Sequence, residues 1–224
     1  MNFDSSVSLK KATGRAKSDV ANKLVSMFLH EISRKACAAG GSNVSSPTYL
    51  KAVVDSFGHR CLYCARDLEH DRATVEHLDG MNRFRAGLHI PGNVAMACKR
   101  CNNAKRQDDQ KPRLLLANTG WESFLSHDGD RCIPSCKNCQ YWLQVLPDAD
   151  LRASKLKETI SRIRKFQSPF VGFILWADAA RPTIQRLAED MYRTCQDFAT
   201  SEIQRLSAQL NFDFTSLATK SINA

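Results

Sequence analysis

Residues 61–105 carry three short blocks: CLYC at 61–64, VEHLDG at 75–80 and GNVAMACKRCNNAK at 92–105. Cys61, Cys64, Cys98 and Cys101 make two Cys-x-x-C knuckles. That spacing closes a tetrahedral zinc site and turns the residues between into a metal-stapled unit. With four thiolate ligands such a zinc has no open position, so its role is structural. Any chemistry in the stretch therefore falls to Glu76, His77, Asn93 and Asn102.

Local pattern predicts strand, loop, strand and helix in that order. Ala73 to Leu78 is β-prone and ends at the turn Asp79-Gly80; Met81 to Pro91 reads as a loop holding Arg83, Arg85 and His89, any of which could meet a phosphate. Asn93 to Ala97 reads as a second strand, and Lys99 to about Asp109 as a helix that stops before Pro112. Neighbours on a strand point to opposite sides, so Glu76 and His77 need not share a job. A carboxylate suits a hard cation such as Mg2+ or Mn2+, and a neutral imidazole can take a proton from water. Asn102 follows the last zinc ligand on the first helical turn, and its carbonyl oxygen also suits a hard cation. For an isolated Glu-His pair, a surface acid beside a structural histidine is the simpler account.

The set as a whole resembles the HNH endonuclease family (ββα-metal nucleases) of the double-knuckle type. The matching pieces are Cys61-x-x-Cys64, Glu76-His77, Asn93 five residues before Cys98, Cys98-x-x-Cys101-Asn102, and Lys105. The resemblance implies a ββα-metal core with His77 as general base. It implies Glu76 and Asn102 as ligands of one catalytic Mg2+ or Mn2+, and Asn93 as the residue that braces the loop and orients the histidine. Lys105 falls on a basic position that touches a phosphate. The family commonly has aspartate or histidine where Glu76 stands.

Outside this core the chain reads as helical. The first seventeen residues look loose, and a helix is predicted from Ser18 with Val20, Leu24, Met27, Phe28 and Ile32 inward. A second helix is predicted to start at Pro47, with Tyr49 or Leu50, Val53, Val54 and Phe57 inward, and to stop at Gly58. His127, Cys132, Cys136 and Cys139 are a candidate second zinc site. Three local thiols fall one short of the four ligands such a site takes, which favours idle thiols in a loop. Asp148 or Asp150 can cap a helix with Ala153, Leu156, Ile160 and Ile163 on one face and six cations on the others, the best phosphate-contacting surface outside the core. Phe170 to Trp176 reads as a buried connector or strand, and Pro182 as the start of a long helix. Ile184, Leu187, Met191, Cys195, Phe198, Ile203 and Leu206 would face inward there.

The expected class is therefore α+β: a ββα-metal HNH core, stapled by a four-cysteine zinc site, within mostly helical extensions. The expected divisions are 1–46, a helix and linker; 47–113, the nuclease core with its preceding helix; 114–150, a cysteine-containing loop region; and 151–224, a helical region. The net charge of +9 suits a polyanionic partner, double-stranded DNA first. No apolar run is long enough to span a membrane and the start lacks a secretory pattern, so an intracellular, cytoplasmic protein of bacterial or phage type is expected. The expected function is metal-dependent hydrolysis of DNA in restriction, phage defence or a mobile element, with a homodimer for cutting both strands. The competing reading is a non-catalytic zinc-ribbon binding module or a nuclease-complex subunit.

Overall fold

A computed structural model describes residues 5–69, 73–106 and 147–210. The elements run α1 (Ser5–Ala39), α2 (Pro47–Phe57), β1 (Ala73–His77), β2 (Val94–Cys98), α3 (Lys99–Arg106), α4 (Ala149–Gln167), a 3-10 turn (Ser168–Phe170) and α5 (Val171–Leu210). The fold is mixed and mostly helical, with one small antiparallel sheet. In its register Ala73 pairs with Cys98, Glu76 with Ala95 and His77 with Val94.

Two apolar cores flank that sheet. The first joins the zinc knuckles to α2 and α4, through Tyr49, Phe57, Tyr63, Ile160, Ile163, Phe166 and Phe170. Phe166 stands at its centre, with ring centroids 5.1 Å from Phe57 and 5.8 Å from Tyr49. Ser46 caps α2 by accepting from the Tyr49 N–H, Pro47 takes the first helical position, and Gly58 ends the helix at φ 58°. Asp148 caps α4 in the same way through the Leu151 N–H at 2.7 Å. Both starts agree with the sequence reading. Leu50 and Val54 differ from it, since both are exposed and only Tyr49 and Phe57 are buried on α2. Arg152 also differs: expected on an outward face, its side chain is 1% exposed and its guanidinium donates to the Pro147 carbonyl at 3.1 Å.

The second core lies between α1, the loop after β1, and α5. Helix α1 begins at Ser5 rather than Ser18. Lysine, alanine and leucine are good helix formers, and a lone glycine such as Gly14 costs about 1 kcal/mol, too little to stop it. Its buried stripe is Ala21, Val25, Leu29, Ser33 and Cys37, a strict four-residue spacing, while Val20, Leu24 and Met27 face solvent. Of the expected stripe, Phe28 and Ile32 do pack against this core.

Helix α5 corrects the sequence reading more sharply. Residues 171–176 are helical, not a strand, and Pro182 lies inside one forty-residue helix. A proline there removes a backbone donor and normally breaks a helix. Here Phe173, Ala177, Ala180, Ile184 and Ala188 form one continuous stripe against α1 on both sides of the proline. Burial along that stripe holds the helix through its weak point. Off that stripe, Leu187, Phe198, Ile203 and Leu206 were expected inward and are exposed.

Candidate active site

The four knuckle cysteines come together, their sulfur atoms all within 4.8 Å of one another. A tetrahedral zinc with bonds of about 2.3 Å sets its ligand sulfurs about 3.8 Å apart. Cys64 Sγ and Cys98 Sγ lie 3.9 Å apart, so the residues fit that ion. Hydrogen bonds from Cys101 and its neighbours hold the Cys98 thiol well below its ordinary range and bring Cys64 down to about 7. The same mutual hydrogen bonds, with burial, push Cys61 and Cys101 the other way, so the four sulfurs share their protons as one cluster. The first knuckle turns tightly: the Ala65 N–H donates to the Cys61 carbonyl at 2.9 Å, with Ala65 at φ 57°. It is tied to the sheet by the Leu62 N–H, which donates to Met96 O at 3.0 Å.

Glu76 lies beside this cluster and is 4% exposed. Each knuckle holds one of its oxygens. Tyr63, between the first two cysteines, donates its hydroxyl to Oε1 at 3.1 Å, and Asn102, next to Cys101, donates Nδ2 to Oε2 at 2.8 Å. Burial, then the Glu76 charge, keeps the Tyr63 phenol protonated far above its ordinary value. Glu76 and Asn102 therefore meet, through the Asn102 amide nitrogen rather than its oxygen.

His77, the next residue on β1, faces the other way. Its Nε2 lies 3.0 Å from His89 Nδ1, and the two ring centroids are 5.2 Å apart. Asn93 sits where the loop returns to β2 and is buried. Its Oδ1 accepts the Asp79 N–H at 2.7 Å, and its Nδ2 donates to Leu88 O at 2.7 Å and Asp79 O at 3.1 Å. One side chain thus clips both ends of the loop together. Gly87 makes the crossing possible, since a Cβ there would stand 1.9 Å from the Asp79 carbonyl oxygen.

Residues 61–108 match the family model described as HNH endonuclease. The stretch is an HNH domain. No curated protein and no solved structure shows significant similarity to the chain. The helices α1, α2, α4 and α5 lie outside the HNH match.

The loop cations of this HNH domain are held by protein groups. Arg83 pairs with Glu189 at 3.1 Å, and its guanidinium carbon lies 3.7 Å from the Tyr192 ring centroid. Arg85 Nε is 3.6 Å from Asp79, which also pairs with Arg181 of α5. Burial works against the Arg181 charge, but the Asp79 and Asp178 carboxylates outweigh it and raise its pKa. Gln185 donates to Phe84 O at 2.7 Å, so α5 grips this loop at three points. Lys105 lies on α3, its side chain outside the described residues. His127, Cys132, Cys136 and Cys139 also lie outside the described residues.

Tyr63 and Arg181 were missed in the sequence. Tyr63 had a readable signal, a phenol between two cysteines of a candidate zinc site. Arg181 had none, because its partner Asp79 lies 102 residues away.

Proposed function

We propose that this protein is a metal-dependent HNH endonuclease that hydrolyses DNA phosphodiester bonds. His77 takes a proton from the attacking water, and the P–O3′ bond breaks to leave 5′-phosphate and 3′-hydroxyl ends. Glu76 and Asn102 would hold one Mg2+ or Mn2+, which when bound supplies stabilisation of negative charge on the phosphate and the leaving oxygen. Holding a cation together calls for the Asn102 amide to present its oxygen in place of the nitrogen that now meets Glu76. Asn93 braces the loop behind His77, and Lys105 meets a phosphate. The reading extends to an intracellular protein of restriction, phage defence or a mobile element.

One observation carries the proposal. At the end of β1, two consecutive residues of an HNH domain face opposite ways, Glu76 onto Asn102 and His77 onto the loop. The competing reading, a zinc-stapled binding module without catalysis, draws on the same contact: both Glu76 oxygens are already engaged by Tyr63 and Asn102.

Plasmid cleavage separates the two. The zinc-loaded protein with Mg2+ or Mn2+ should nick or cut supercoiled DNA. His77→Ala should lower the rate on the order of 100- to 10,000-fold while zinc content and folding persist. Wild-type protein that binds the plasmid and leaves it intact across divalent cations would favour the binding module.

A further inference from the structure

The HNH match starts at residue 61, yet the group that meets His77 is clamped from α1, outside it. We propose that His89 is a positioning residue for His77, accepting the His77 Nε2–H at its own Nδ1 so that His77 Nδ1 is the nitrogen that takes the proton. This rests on His77 being the general base.

A neutral imidazole carries one donor nitrogen and one acceptor nitrogen. The 3.0 Å contact between His77 Nε2 and His89 Nδ1 therefore allows two arrangements. If His89 donates, the His77 proton sits on Nδ1 and its only acceptor nitrogen is used up by His89. His77 is then no base. If His77 donates, its acceptor nitrogen is Nδ1, which His89 does not occupy, and the imidazolium formed on proton uptake keeps the same hydrogen bond. Only the second arrangement serves the reaction.

Three features hold the His89 ring beside His77 and keep it uncharged, so that its Nδ1 is able to accept. Its backbone is held at both ends by α1: its N–H donates to Ser33 Oγ at 2.8 Å, and Cys37 Sγ lies 3.8 Å from its carbonyl oxygen. Ser33 is itself fixed, its hydroxyl donating to Leu29 O at 2.6 Å. Secondly, Asn93 holds the preceding residue through Leu88 O. Thirdly, burial, and then the neighbouring His30, push the His89 pKa down, so the ring stays neutral. The titratable groups around it are His30 and Cys37 of α1 and His77 of β1, with Glu31 and Arg34 lining the same cavity of about 780 Å3. No carboxylate is bonded to the ring among the described contacts, so nothing there draws a second proton onto it.

Imidazole 15N shifts of the full-length, zinc-loaded protein at neutral pH read the tautomer directly. His77 is expected as the Nε2–H form. His89→Leu removes the acceptor; it should abolish that preference and lower kcat on the order of 100-fold with KM little changed. His89→Asn places an amide oxygen near the lost Nδ1; it should restore the tautomer and recover activity lost in His89→Leu. An Nδ1–H tautomer at His77 in the wild type would overturn the proposal. So would His89→Leu with wild-type tautomer and kcat, or His89→Asn no better than His89→Leu. The spectra need neither DNA nor divalent cation, so a protein that shows the Nε2–H tautomer and cuts nothing would sink the nuclease reading and leave the pairing standing.

Discussion

Asn102 donates its amide nitrogen to Glu76 Oε2 at 2.8 Å, so the residue after the last zinc ligand touches the acid before the histidine. With Tyr63 on the other oxygen, the zinc knuckles act as two jaws on one buried carboxylate. The four-cysteine cluster and the candidate catalytic ligand are one mechanical unit.

Tyr63→Phe should expose that coupling. It leaves a buried carboxylate oxygen without its phenol donor, which costs about 1–3 kcal/mol. Urea unfolding of the zinc-loaded variant should show this loss with unchanged zinc stoichiometry. Unaltered stability would mean that Tyr63 contributes nothing to holding Glu76.

Ala65→Gly should act in the opposite direction. Ala65 occupies the left-handed region at φ 57°, which costs a non-glycine residue about 1–2 kcal/mol. Glycine returns about 0.5–1 kcal/mol of that through its greater unfolded-state freedom. A net gain of about 0.5–1 kcal/mol is expected from the difference, read as a higher denaturation midpoint and tighter zinc retention against a chelator.

The His89 environment sets a pH dependence. Its folded pKa lies below the ordinary 6.5, so the unfolded chain binds the proton more readily. This contribution leaves stability flat above about 6.5 and lowers it as pH falls beneath that value. Zinc thiolates give a loss of the same sign, because ligand protonation releases the metal. The His89 part is the difference between wild type and His89→Asn, which should hold constant above about 6.5 and shift against the wild type as pH falls below it. A difference constant from about pH 5 to 8 would contradict it.

Helix α4 presents Lys157, Arg164 and Lys165 to solvent. If that surface meets DNA, reversing the three charges should weaken binding evenly across sequences. The slope of log affinity against log salt should also shrink by about one for each phosphate contact removed. An unchanged slope would put DNA on another face.

The central unit was legible because metal spacing fixes geometry at short range. Cys61 to Asn102 folds within one knuckle pair, and the order strand, loop, strand, helix followed from it. Helix ends with strong local chemistry were also readable, as at Pro47, Gly58 and Asp148. What escaped depends on partners distant in sequence. Val20 and Ala21 are neighbours on one helix, and the fold buries the second while the first stays exposed. Pro182 signals a break, and only burial on both sides of it overrides that signal. His89 reads as one more loop cation until Ser33, 56 residues earlier, fixes it beside His77.

The register of the small sheet has a further consequence. Two five-residue strands are marginal alone, and a slip by one position turns every side chain to the opposite face. Such a slip would put His77 onto the zinc side and Glu76 toward His89, reversing the two with no change in sequence. Asn93 guards against this at one end of the ladder, where its amide grips Asp79 beyond His77, and Tyr49 does so through the Val94 backbone. The middle asparagine is thus a gauge block: it decides which of two adjacent residues faces which chemistry.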